Sequence, residues 1–171
     1  IAVGTIVQSQ LIRICIPYFL KRKDKNCIIN ITAQCVIPTY GFGEILSNMI
    51  SVPFLSVYEA SNAFGHYHAN SLIKEYKKYK NKIDILNITP GAVLTENTEF
   101  LNKTIFAVKS EDYVKNIMKL IGNFYGNTYA YWGHEFSIFL INCFPFLKNS
   151  ILYNTGHNIA TDYMKMTPKK Y

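Results

Sequence analysis

"IDILNITPGAVLT", residues 83–95, is the stretch whose reading decides the fold. Its first half is apolar and rich in β-branched residues, the build of a short buried strand, and it breaks on Pro90-Gly91, a turn pair. An earlier run, "NCIINIT" at residues 26–32, has the same build. Around these two runs the apolar spacing is helical. Ile6, Val7, Leu11, Ile12, Cys15 and Phe19 recur at helical intervals and predict a helix over residues 2–20. A second helix is expected over residues 58–79. Ser110 reads as the N-cap of a third, with Tyr113, Val114, Ile117, Leu120 and Ile121 as its apolar set. "NTYAYW", residues 127–132, is a candidate third strand, and the remainder to about residue 166 reads as helical with a break near Pro145. Helices and strands alternating at these lengths predict an α/β fold with a parallel sheet.

Composition narrows the function classes. With 171 residues the chain is one domain in size, and 49% hydrophobic against 17% charged residues excludes a disordered chain. The formal charge of +7 sits in short runs, "KRKDK" at 21–25 and "KEYKKYKNK" at 74–82. Each follows a helical pattern, where lysines complement the negative end of the helix dipole, so solvated helix ends are the first reading and attraction to a membrane surface the second. No nucleic-acid-binding motif is present, and no nucleic-acid partner is expected.

Cys15, Cys27, Cys35 and Cys143 lack metal-ligand spacing and read as buried free thiols of a reducing compartment. No metal site is expected: His66 and His68, two apart on a helix, point to different faces, while His134 and His157 stand alone. The sequons at Asn30 and Asn87 fall within strands, where a glycan has no room. No run reaches membrane-span length. The nearest, "FSIFLINCFPFL" at 136–147, carries Asn142 and Pro145 and reads as a packed or interfacial helix.

The order of these features resembles the second half of a short-chain dehydrogenase/reductase. The details are similar to the branch of very-long-chain 3-oxoacyl-CoA reductases and 17-beta-hydroxysteroid dehydrogenases. "VPFLSVY" at 52–58 stands against "VPLLTIY" in that branch, Arg13 and Pro17 match its preceding helix, and "PGAVLT" at 90–95 matches the turn after its sixth strand. The resemblance runs over the whole chain and implies the C-terminal half of a Rossmann-type, doubly wound parallel sheet. It supplies about three strands with flanking helices, and the first half is absent from this chain. The strand at 26–32 is then expected to present an unpaired apolar edge. Either a partner covers that edge or the native chain is longer than the sequence that begins at Ile1.

The resemblance also implies chemistry. In the family a nicotinamide cofactor, NADP(H) or NAD(H), delivers hydride to a carbonyl while a tyrosine hydroxyl supplies the proton. That tyrosine is Tyr58 here. The cofactor-binding positions that carry across are Asn62, where the family has lysine, and the turn Pro90, Gly91, Val93 and Thr95. The family's serine and asparagine positions hold Ala33 and Gly4. Ala33 and Tyr58 stand 25 residues apart, about twice the family's spacing, which places an insertion at about residues 34–46. No glycine-rich phosphate turn occurs in the chain.

Two readings of function therefore stand. One is a reductase of a 3-oxoacyl-CoA or steroid carbonyl at the endoplasmic reticulum membrane surface. The other is an inactive or truncated copy, of the cytoplasm if not of that membrane, that acts through helix-mediated dimerisation. By resemblance, a homodimer would form through the helices at 2–20 and 58–79.

Overall fold

A computed structural model describes residues 3–34, 55–96, 98, 105–144 and the single positions 154, 157, 158 and 161. A π-helical turn, Val3–Val7, leads into α1, Gln8–Lys21, and then β1, Asn26–Ile31. The long helix α2, Ser56–Glu75, ends in a 3-10 turn at Lys77–Tyr79 and is followed by β2, Ile83–Ile88. Two short strands, β3 (Val93–Leu94) and β4 (Val108–Lys109), precede α3, Ser110–Leu120, β5, Gly126–Thr128, and α4, Trp132–Cys143.

β1, β2 and β5 form one parallel sheet in the order β1-β2-β5. β2 lies in the middle, and all six of its residues are buried. Alternating side chains send Ile83 and Ile85 to one face, where they pack with Ile16 of α1 and Leu72 of α2. Leu86 and Ile88 go to the other, against Val108 and the α3 residues Tyr113 and Ile117. Helices thus cover both faces, as a parallel sheet requires. Each of the four apolar side chains of β2 contributes on the order of 2 kcal/mol by its burial.

β1 is the edge of the described sheet, and it is an unguarded one. Ile29 and Ile31 remain 38% and 60% exposed, and no charge, proline or bulge protects the strand. A groove of about 280 Å³ runs between this edge and α1, lined by Leu11, Ile12, Cys15, Phe19, Cys27 and Ile28 among others. Asp84, 4% exposed on β2, is held by Lys25 at 2.8 Å.

Four expectations need correction. Ser110 is not the N-cap of α3: the cap is Lys109, with no side-chain hydrogen bond, and Ser110 is already helical. "NTYAYW" is not a six-residue strand. β5 covers Gly126–Thr128, because Ala130 adopts a left-handed φ of 55° that ends the pairing, and Trp132 opens α4. The sequence reading also passed over β3 and β4, in which Val93 pairs with Val108, 15 residues on in sequence. Finally, the thiols are less buried than their apolar surroundings suggested. Cys15 on α1 and Cys27 on the edge strand β1 are half-buried, and Cys143 at the end of α4 is exposed. Cys35, most of the expected insertion (residues 35–46) and most of the tail beyond residue 144 lie outside the described residues.

Candidate functional site

The carboxyl end of β2 is stitched to β1 and to β5 past its formal strand end. Thr32 N donates to Ile88 O at 2.9 Å, Gln34 N to Pro90 O at 2.9 Å, and Thr89 N to Thr128 O at 3.0 Å. The Pro90-Gly91 turn is therefore seated at the end of the sheet where open α/β folds take ligands. Gly91 is there because nothing larger fits: a Cβ would lie 2.3 Å from Gln34 Oε1 and 2.8 Å from His134 Cδ2.

Gln34 locks this turn to α4. Its Nε2 donates to His134 O at 2.7 Å and to Ser137 Oγ at 2.8 Å, so both of its N–H groups are used. His134 itself is 1% exposed and donates from Nε2 to Ala92 O at 3.2 Å. Burial holds its pKa below the ordinary histidine value, against the opposing pull of the Ala92 and Tyr129 carbonyls. The rings of Tyr131 and Tyr113, 5.0 and 5.4 Å away, cradle it. Tyr113 donates to Tyr129 O at 2.9 Å, and burial pushes its phenol far above the usual range, so it stays a donor.

Downstream, Thr98 closes the same turn. Its hydroxyl donates to Val93 O at 2.6 Å, receives the Thr95 N–H at 2.8 Å and lies 2.8 Å from Thr95 Oγ1. One group thus meets a carbonyl acceptor and an N–H donor two residues apart.

Tyr58 lies in the first turn of α2 and is 52% exposed. Its carbonyl accepts from Ser61 Oγ at 2.8 Å and from Asn62 Nδ2 at 2.9 Å. Gly4, in the π turn, lies against the same corner: a Cβ there would be 3.3 Å from Ser61 Cβ. Ala33 is buried and offers a methyl group only. The neighbouring Thr32 turns its hydroxyl to Ile88 O at 3.4 Å, while its methyl faces Gly65 of α2. The structure thus places Gly4, Tyr58 and Asn62 in one corner and gathers Pro90 and Gly91, with Val93 and Thr95 following, at the end of β2.

Sequence reasoning missed Gln34 and Ser137, and read His134 as a lone residue. Nothing local marks them, since their partners are about 100 residues away. It also missed that Asn30 and Asn87 face one another across β1 and β2. That signal was legible: "IINIT" and "ILNIT" carry Asn at the same place in two strands of one sheet. Both asparagines are buried, which bears out the exclusion of a glycan there.

Over 166 residues the chain is 26% identical to the very-long-chain 3-oxoacyl-CoA reductase of Bos taurus, covering 96% of this chain and 48% of that one. The chain resembles the very-long-chain 3-oxoacyl-CoA reductases. The human reductase of that name is 22% identical over 170 residues, 99% of this chain and 49% of the relative, and the mouse reductase is 25% identical over 122 residues. The chain spans about half the length of the bovine and human reductases. No family model matches the chain. No solved structure matches it either. The parallel order β1-β2-β5 with helices on both faces is that of half a Rossmann-like sheet. Among the described residues no three or more His, Cys, Asp or Glu side chains gather as metal ligands. No described helix is long and apolar enough to cross a membrane.

Proposed function

We propose that the chain is the C-terminal half-domain of an NAD(P)H-dependent short-chain reductase acting on a 3-oxoacyl-CoA or steroid carbonyl. The observation that carries this reading is the Pro90–Gly91 turn at the carboxyl end of the central strand, in a chain whose relatives are reductases. The residues at hand fit the nicotinamide end of the cofactor. Val93 O and Thr95 N form an acceptor and donor pair complementary to a primary carboxamide, and Thr98 Oγ1 already meets both in the donor and acceptor senses such a group would use. Val93, Thr95, Pro90 and Gly91 would hold that end, with Asn62 Oδ1 as a further acceptor. When bound, the cofactor supplies hydride.

Tyr58 is the proton donor in this reading. Its phenol is half-exposed in the first turn of α2, which supports this role, and donation in the reducing direction does not require prior ionisation. The rest of the catalytic set is weak. Ala33 has no hydroxyl to hold a carbonyl oxygen, and Asn62 brings no positive charge to the tyrosine. Losses of this kind cost on the order of 100- to 1,000-fold each and combine non-additively.

Those same observations favour a second reading, a catalytically silent copy that acts through self-association. Val7 at the head of α1 and Leu11, Ile14 and Tyr18 within it lie at heptad-like spacing and are 45% to 69% exposed. On α2, Val57, Phe64 and Tyr67 repeat the pattern. A homodimer through α1 and α2 would bury both stripes in a four-helix seam. Contact with the endoplasmic reticulum membrane surface belongs to the reductase reading, with the exposed aromatic residues Trp132, Phe136 and Phe139 of α4 as the face that would meet it.

One assay separates the two readings. NADPH oxidation is followed with a long-chain 3-oxoacyl-CoA, for the chain and for Tyr58→Phe. Turnover lost in the variant supports the reductase. Absence of turnover and of NADPH binding, with a dimer in sedimentation, supports the silent copy.

A further inference from the structure

Asn30, Asn87 and Asn127 stand opposite one another in the register of β1, β2 and β5. Their amides form one directed chain across the sheet. Gln8 Nε2 donates to Asn30 Oδ1, Asn30 Nδ2 donates to Asn87 Oδ1 at 2.7 Å, and Asn87 Nδ2 donates to Asn127 Oδ1 at 2.8 Å. A carboxamide has two N–H groups. The second one of each inner asparagine leaves the sheet for α2: Asn30 Nδ2 reaches Gly65 O at 3.2 Å, and Asn87 Nδ2 reaches His66 Nδ1 at 3.1 Å.

The chain leaves no freedom to its members. Asn87 Oδ1 is claimed by Asn30, so Nδ2 must face both Asn127 and His66, and His66 Nδ1 must accept. The imidazole is then neutral, with its proton on Nε2. A second proton at Nδ1 would set N–H against N–H, and Asn87 could turn only by giving up its bonds to Asn30 and Asn127. His66 is 7% exposed, so water does not readily replace the lost partner.

The groups that the described residues set against His66 are uncharged. β2 presents Asn87, β1 and β5 present Asn30 and Asn127 behind it, and Gln8 of α1 packs beside Gly65. On α2 itself the titratable neighbour is Tyr67, whose ring lies edge-on at 5.9 Å. Burial is the cause that holds the His66 pKa below the ordinary value, so no ion pair competes with the ladder for its protonation state.

We propose that this asparagine ladder and His66 form an acid-sensitive latch, which seats the Tyr58-bearing helix on the sheet and releases it when the imidazole takes up a proton. Gly65 and His66 are the two points where the ladder grips α2, about two helical turns beyond Tyr58. Release at these points loosens the helix that presents the tyrosine, whatever that tyrosine does.

The test is amide hydrogen exchange of the full chain at pH 7.5 and pH 5.0, corrected for intrinsic rates. Protection of α2 amides around Gly65 and His66 falls at least tenfold on acidification, while His66→Gln, which keeps an acceptor but cannot be protonated, holds its protection at both pH values. An equal fall in His66→Gln, or no fall in the parent chain, overturns the latch. Should His66→Gln fail to fold, NMR of the parent chain decides. Asn87 side-chain amide signals that move with the midpoint of the His66 ring support the latch, and unlinked midpoints overturn it.

Discussion

Asn62 donates its side-chain amide to the carbonyl of Tyr58, 2.9 Å away and one turn back on the same helix. The position that the resemblance assigns to a cofactor-binding lysine is thus bonded to the backbone of the tyrosine it should assist. That carbonyl keeps a second partner in Ser61 Oγ at 2.8 Å. Asn62→Ala should therefore cost no more than about 0.5 kcal/mol in urea denaturation. Asn62→Lys should fold equally well. Combined with Ala33→Ser, it should raise carbonyl reduction by on the order of 100-fold in the reductase reading. The absence of any gain in the folded double variant would count against that reading.

Lys25 and Asp84 form the one ion pair among those described that reaches into the sheet, with Asp84 4% exposed. Lys25→Met strands a buried carboxylate and should cost about 3 kcal/mol, read as a lowered urea midpoint. Adding Asp84→Asn should return most of that loss, because the stranded charge rather than the missing contact is the larger penalty.

Gly91 and Gly65 predict different outcomes for the same substitution. Gly91→Ala drives a methyl into Gln34 and His134 and should cost about 2 kcal/mol while freeing α4 from the turn. Gly65→Ala crowds Gln8 Oε1 at 3.1 Å and the buried Thr32 methyl at 3.3 Å, contacts that a shift of a few tenths of an ångström relieves. It also gains about 1 kcal/mol of helix propensity within α2, so its melting temperature should change little.

Stability should fall on the acid side of neutrality. Burial depresses the pKa of both His66 and His134, so each is neutral in the folded chain at a pH where the unfolded chain already takes up a proton. The unfolded state then binds more protons, and stability rises with pH. The contribution is complete above the ordinary value of about 6.5 and is lost as pH drops below it toward the folded values. A melting series from pH 7.5 to pH 5.0 checks this. A flat profile would show that the two imidazoles are not held neutral.

The exposed stripes on α1 and α2 make a last prediction. Leu11→Glu with Ile14→Glu should convert a dimer to monomer in sedimentation velocity without lowering the melting temperature of the monomer, since both side chains are more than half exposed. A chain already monomeric at micromolar concentration would remove the dimer from either reading.

The sequence by itself determined the alternation of the longer helices and strands and their faces. Local propensity and period were enough for α1, α2, β1 and β2, because each is long enough for its apolar spacing to be read without partners. The turn after β2 was legible because Pro90-Gly91 admits few backbone paths. The tertiary structure alone decided the rest. β3 and β4 are two residues long, too short for a period, while β5 was legible as a strand but not in its bounds, which its pairing with β2 sets. Gln34 reaches a helix 100 residues away, and the three asparagines are polar residues whose burial is permitted only because the parallel register brings their amides together. Burial of a polar side chain requires a partner, and a partner distant in sequence leaves no mark on the residues beside it.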